Sequence, residues 1–463
     1  MKRFVSTVAA LASIAAAASA QAPSAGQLDS IITKAVAEKH IVGLSVGVMQ
    51  NGKTVLTKTY GLRDIASKSP VTPKTMFAIG SVTKQFTCSA VMMLAEEHKL
   101  SLSDPVAKYF PNLTRAKDIT LIDLGGHLSG YHDYYPLDFV DREMEQPSSP
   151  DQIINEYATK PLDFEPRSHY SYSNTGFIIL GRVVEKVSGE SFGSFLSKRI
   201  FAPLHLERTA YEPSNQTTAA DMATGYSSFG LSEPIHVQPE GKGWAGPAGA
   251  IWSTPTDLLA WDLALVEKKL ISPASYAIMT TAQKLSDGRS SGYGCGEGVN
   301  DRAAALILSH GGAVSGFVAQ NTVIPATHSA VVLLSNTDFS PIGELNAALV
   351  SRLMPPNPDV PQVKGAPALE AAQKFLSALE KGTIDRASLG DDFNRFLSAD
   401  KVAAGRKALN SLGAITNVKL ENRRERGGME VATVSFKAGS TNAIGLMYRT
   451  PDGKIQEFLI SRN

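Results

Sequence analysis

At 463 residues the chain is too long for one ordinary domain and points to two or three. Its 43% hydrophobic and 19% charged residues are normal for a soluble globular enzyme. A formal net charge of +1 gives no reason to expect nucleic acid or an acidic membrane as partner.

The first twenty residues read as an export signal. Lys2 and Arg3 make a basic start, and Phe4 to Ala17 is apolar or small without acids. Ala18-Ser19-Ala20 then offers a small-x-small cleavage site before Gln21. The run is too short and alanine-rich for a stable membrane span. No Cys follows the cleavage site to carry a lipid anchor. A periplasmic or secreted location is expected.

Gln27 to Lys39 has helical spacing, with Leu28, Ile31, Ile32 and Ala35 on one side. Two strand-like runs follow, Gly43 to Met49 and Thr54 to Tyr60, joined by Asn51-Gly52, a two-residue hairpin signal. A helix before an antiparallel hairpin points to an α+β domain, not a doubly wound one. Ser81 to Lys99 is helical by the spacing of Phe86, Ala90, Met93 and Leu94, and Gly176 to Val187 is a second apolar helix, closed by Ser188-Gly189. Late strands are expected at Ala303 to Leu308, Gly316 to Ile324 and Ser329 to Asn336.

Pro355, Pro356, Pro358, Pro361 and Pro367 then give residues 355–367 a linker composition. Beyond it, helices are expected over Ala368 to Lys381 and Val402 to Leu412. Strands are expected at Val418 to Arg424, Glu430 to Lys437, Ala443 to Arg449 and Ile455 to Ile460. The plan is thus a catalytic domain over 27–354 and a small α+β accessory domain over 368–463, the latter cystatin-like in composition. The accessory domain could support a homo-oligomer. Cys88 and Cys295 are the two cysteines. An oxidising compartment could join them. A chain with this much core needs no staple, so two free buried thiols are the preferred reading. No Cys/His cluster has metal-site spacing, and no metal or cofactor is expected.

Acyl transfer needs a nucleophile, a base and an oxyanion hole. On a helix, Ser81-Val82-Thr83-Lys84 places the amine of residue i+3 beside the hydroxyl of residue i, at the positive end of the helix dipole. A partly buried Lys titrates low enough to take a proton near neutrality. Spacing alone does not decide, because Ser398-Ala399-Asp400-Lys401 repeats it. Ser81 follows the apolar Phe77-Ala78-Ile79-Gly80, whereas Ser398 lies in a charged stretch and reads as a surface helix start. In Tyr172-Ser173-Asn174 an extended backbone points the phenol and the carboxamide the same way. A phenolate at Tyr172 would be a base, and Asn174 would hold a substrate carbonyl. In His310-Gly311-Gly312-Ala313, paired glycines within a strand imply close approach of another backbone or a ligand.

The order Ser-x-x-Lys, Tyr-x-Asn, then a basic residue before glycines resembles the three-motif pattern of serine β-lactamases and penicillin-binding proteins. The tyrosine form resembles the branch of class C β-lactamases, D-alanyl-D-alanine carboxypeptidases, D-aminopeptidases and related esterases. Further matching stretches are Leu100 to Pro105, His127 to Gly130, Pro203 to Leu206 and Gly249 to Thr254, so the resemblance spans Gln27 to Met354. It implies an antiparallel sheet flanked by helices, with a helical lobe and the site between them. By the same resemblance, Ser81 would be acylated, and Lys84 and Tyr172 would move its proton. The N–H groups of Ser81 and Ala313 would form the oxyanion hole. Asn174, His310, Gly311 and Gly312 would bind substrate.

The chain departs from that pattern at Pro166-Arg167 in place of Pro-Gly, at Gly125-Gly126-His127-Leu128, and at Cys295 where an aromatic is common. A dedicated class C β-lactamase carries Lys-Thr-Gly where this chain has His310, which argues against that activity and for a peptidase or esterase. His127, His132 and Asp133 do not make a metal site or triad, having no suitably spaced third ligand or serine. The expected activity is acyl-enzyme hydrolysis of D-amino-acid peptides or β-lactams, with a small-molecule or short-peptide substrate. A carboxylesterase with the same residues is the alternative, and a non-catalytic penicillin sensor the reading from another class.

Overall fold

A computed structural model describes residues 23–38, 41–135, 142–213, 221–228, 232–301, 305–355 and 360–462. The expected export signal lies outside the described residues. The chain divides into two compact units, Met1–Met354 and Pro355–Asn463. No helix among the described residues is long and apolar enough to cross a membrane.

The first unit is built on a seven-stranded antiparallel sheet. Its order is Ser69–Pro70, Lys53–Asp64, Gly43–Gln50, Ser329–Ser335, Phe317–Ile324, Ile307–Val314, Gly298–Asn300. Asn51 and Gly52 turn the first hairpin with φ of +51° and +72°, the left-handed pair that such a turn requires. The central strand Gly43–Gln50 is buried on both faces. On one side Leu44, Val46 and Val48 pack with Leu28 and Ile32 of helix Ala25–Glu38 and with Leu345 and Leu349 of helix Ile342–Leu353. On the other, a Cβ added to Gly47 would lie 2.9 Å from Leu259, so helix Pro255–Val266 rests directly on the strand.

A largely helical lobe shares that second core. Helix Thr83–Glu96 is buried along most of its length, and Phe86 stacks on Trp261 at 3.9 Å. Helix Asn174–Ser188 ends at Gly189 with φ +75°, as Ser188-Gly189 predicts. Two sequence expectations fail here. The helix begins at Thr83, and Ser81 sits in a 3-10 turn, Gly80–Val82, ahead of it. The strand expected at Ala303 to Leu308, of which Ala303 and Ala304 lie outside the described residues, begins only at Ile307 and runs to Val314, carrying the His310-Gly311-Gly312 motif in a strand as expected.

The free-thiol reading is overturned: Cys88 and Cys295 form a disulfide across 207 residues of sequence. Space for it comes from Gly125, whose Cβ would lie 2.5 Å from the Cys295 sulfur.

The second unit has its own core of Phe375, Leu376, Phe393, Phe436, Met447 and Phe458. Helices Ala368–Lys381 and Ala399–Leu412 pack on an antiparallel meander of Ile415–Arg426, Met429–Ala438, Thr441–Arg449 and Ile455–Arg462. Ser398 caps its helix, accepting from Lys401 N at 3.4 Å, so the second Ser-x-x-Lys is a helix start.

Candidate active site

A cavity of about 520 Å3 opens beside Ser81 in the first unit. Its wall brings together Ser81, Tyr172, Asn174 and the strand residues His310 to Ala313, all of which the sequence analysis singled out. Lys84 lies behind Ser81, fully buried.

The turn that presents Ser81 requires a glycine before it. Gly80 has φ +50°, and its Cβ would lie 2.7 Å from Ala313 N. A Cβ on Gly312 would meet Ile79 O at 1.9 Å and Ser81 N at 3.2 Å. The strand edge is therefore pressed against the turn that holds Ser81, which explains both glycines. Ser81 and Ala313 meet at the same cavity rim.

Lys84 Nζ has three neighbours in hydrogen-bond range: Ser81 Oγ at 2.9 Å, Asn174 Oδ1 at 2.7 Å and the Ala248 carbonyl at 2.9 Å. Burial lowers its pKa from 10.5 to about 7, against an opposing pull from the Asp133 carboxylate. Two of the three partners can only accept. A neutral amine has two N–H groups for them, and its lone pair then faces the serine hydroxyl.

Tyr172 differs from expectation. Its phenol is buried beside Ser81 without closing a hydrogen bond of normal geometry. Burial raises its pKa far above the ordinary 10, which opposes a phenolate there.

His310 is buried and tied down. Its Nδ1 donates to the Gly311 carbonyl at 2.5 Å, so Nε2 is the acceptor for the Tyr293 hydroxyl at 2.7 Å. Burial, with the Lys84 charge second, lowers its pKa to about 3. The third motif thus presents no cation to the cavity.

Sequence reasoning missed Asp133. It is neither metal ligand nor triad member, yet it lines the cavity. Asp133 Oδ1 accepts from Asn174 N at 2.9 Å and from Asn174 Nδ2 at 3.2 Å, which turns the carboxamide oxygen toward Lys84. Nothing in its local sequence marks this role. His127 makes a structural hydrogen bond. Its Nδ1 accepts from Ser173 N at 3.0 Å, its ring lies 4.2 Å from that of Tyr172, and burial keeps it neutral. Tyr134 and Tyr135 form one side of the cavity. Among the described residues, no group of three His, Cys, Asp or Glu could hold a metal ion.

A family model described as Beta-lactamase matches residues 28–353. The chain is 26% identical over 342 residues to Protein flp of Staphylococcus aureus (strain NCTC 8325 / PS 47), covering 70% of this chain and 66% of that one. It is 32% identical over 232 residues to the Teichoic acid D-alanine hydrolase of Staphylococcus aureus, covering 50% of this chain and 55% of that protein. The chain therefore spans about two thirds or less of these relatives' length. Among solved structures, the octameric penicillin-binding protein homologue from Pyrococcus abyssi matches with a TM-score of 0.64 at 21% identity, covering 95% of this chain and 96% of that one. That likeness concerns the fold.

Proposed function

This chain belongs to the Beta-lactamase family, and from that premise we propose that it is an exported serine hydrolase that acylates Ser81 with D-aminoacyl groups and releases them to water. The observation that carries the reading is the setting of Lys84. Two acceptor-only oxygens take its N–H groups and leave the lone pair for Ser81. Ser81 Oγ attacks the substrate carbonyl as its proton passes to Nζ. The N–H groups of Ser81 and Ala313 hold the oxyanion. Tyr172 relays a proton to the leaving group. The same amine then takes a proton from the water that cleaves the acyl-enzyme.

The cavity's charge supports an amine-bearing acyl group over a penicillin-type carboxylate. Its described lining holds no Lys or Arg, carries the Asp133 carboxylate and presents His310 as neutral. An ammonium group suits Asp133; a carboxylate finds no fixed cation. D-stereochemistry follows the name of the Staphylococcus aureus relative, Teichoic acid D-alanine hydrolase. Self-association is a further part of the proposal, the Pyrococcus abyssi homologue being an octamer.

The test is a time course of intact mass with D-alanine and L-alanine p-nitroanilides and with benzylpenicillin, run on wild type and Ser81→Ala. The reading expects a D-alanyl adduct on wild type alone, with release of p-nitroaniline and little penicillin adduct. Turnover retained in Ser81→Ala, or a faster L-series, refutes it.

A further inference from the structure

A second cavity, of about 490 Å3, is lined in part by Val314, Ser315 and Phe317, at and just beyond the end of the strand that carries Ala313. It meets the catalytic cavity at Ala245, Gly249 and Val314, which line both. Ala78, three residues before Ser81, lines the second cavity. Gly249 keeps the shared wall low, since a Cβ there would fill space 3.6 Å from Ala245 Cβ and 3.7 Å from Gly80 C.

The chemistry of this second cavity is specific. Among its described lining residues are two carboxylates, Glu212 and Glu240, and one cation, the exposed Lys242. Trp252 and Phe317 supply its aromatic wall, with ring centroids 5.0 Å apart. Glu212 is held in the left-handed region at φ +42°, its N–H bonded to Ala250 O at 3.0 Å. A non-glycine residue rarely adopts that conformation, and it is kept at a place that faces the cavity. Glu240 is pinned from the catalytic side. Its Oε1 accepts from the Tyr135 hydroxyl and from Ser315 N and Oγ, both at 2.8 Å. Ser315 lies two residues beyond Ala313, so this carboxylate is anchored to the end of the oxyanion strand.

We propose that the second cavity is the leaving-group subsite, and that it selects substrates whose leaving alcohol or amine carries a cationic alkylammonium group. Two carboxylates and a half-buried indole lining one cavity are the surroundings that such a cation favours. The acyl part occupies the Asp133 side. As the Ser81 Oγ–acyl bond forms, the bond from the acyl carbon to the leaving oxygen breaks, and that oxygen departs as an alcohol with the proton taken from Ser81. This inference rests on the acyl-enzyme reading above and adds the class of leaving group.

The experiment compares the D-alanyl esters of choline and of 3,3-dimethylbutanol, which share a shape and differ in charge. Rates are corrected for the esters' alkaline hydrolysis. Wild type is expected to favour the choline ester in kcat/KM by about tenfold, the scale of one desolvated cation contact. Glu212→Gln and Trp252→Leu should each shrink that preference by about threefold or more, through KM, as expected for loss of part of a cation contact. A preference of one or less in wild type overturns the proposal. So does a preference that survives both substitutions. Absence of a Ser81 adduct with either ester refutes the acyl-enzyme reading itself, a result that intact mass separates from lost selectivity.

Discussion

Acylation of Ser81 should rise with pH through a single ionisation centred near 7. The perturbation is titration of Lys84, whose burial brings its pKa from 10.5 to about 7. The difference, 10.5 less 7, is about 3.5 and corresponds to roughly 5 kcal/mol. At pH 7 an ordinary lysine is neutral in about one molecule in 3,000, whereas Lys84 is neutral in about half. Desolvation thus supplies most of the competent base. The assay is the single-turnover rate of acyl-enzyme formation, followed by mass or by chromophore release from pH 5 to 9. Lys84→Ala should lower that rate by about a hundred- to ten-thousand-fold and abolish the ionisation. A wild-type rate that is flat across this range refutes the reasoning. So does a midpoint near 7 that persists in Lys84→Ala.

Asp133→Asn removes the charge that opposes the lowering of Lys84, so the same midpoint should move below 7 while acylation slows; an unmoved midpoint would make Asp133 a packing group only. His310→Lys should speed acylation by benzylpenicillin by about tenfold or more, by adding the cation that the cavity lacks; no gain would mean the substrate carboxylate does not reach this strand. Denatured without reductant, the protein should expose no free thiols, and the Cys88→Ala/Cys295→Ala variant should lose about 2–4 kcal/mol in urea unfolding. Two titrated thiols would remove the bond. Asp262 and Glu297 are buried carboxyls raised to about 8 by desolvation. The folded chain keeps protons there that the unfolded chain releases near 4. Their stabilisation is therefore whole below the ordinary carboxylate range and lost as pH climbs toward 8. Asp262→Asn should flatten the fall of Tm between pH 5 and 8.

What the sequence made legible follows from distance along the chain. Ser81 with Lys84, Tyr172 with Asn174, and His310 with its two glycines are each within three residues, so local geometry fixes how each group faces. The hairpin at Asn51-Gly52 and the helix end at Gly189 were readable for the same reason. What stayed hidden joins distant segments. Asp133 acts on Lys84 by its charge and by holding Asn174, and the Ala248 carbonyl reaches Nζ from 164 residues away. Neither carries a side-chain pattern of its own. The burial that opposes a phenolate at Tyr172 was hidden too, because spacing says nothing about burial, and burial raises that pKa. The thiol reading failed because it weighed core size and could not see that Gly125 opens room for a bond.

Three departures from the family pattern now have physical causes, and two of them are one feature. Gly125 and Cys295 are a matched pair, because any side chain at 125 would occupy the place of the sulfur. Cys88 lies one turn after Lys84 on the same helix, so the bond ties the base's helix to the segment Tyr293 to Glu297. On that segment Tyr293 fixes His310, and Gly296 sits so close that its Cβ would lie 2.5 Å from Lys84 O. The bond therefore anchors the segment that holds His310 through Tyr293 and packs against Lys84. Arg167, the third departure, has φ +66°, which explains the glycine usual there. This chain keeps the turn without glycine by bonding Arg167 N to Leu128 O at 2.7 Å and pairing the guanidinium with the buried Asp123 at 2.5 Å. Leu128 follows His127, whose ring backs Tyr172. Both features thus bear on groups packed around Lys84 and Tyr172, and Ser81, Lys84 and Tyr172 need no change to accommodate them.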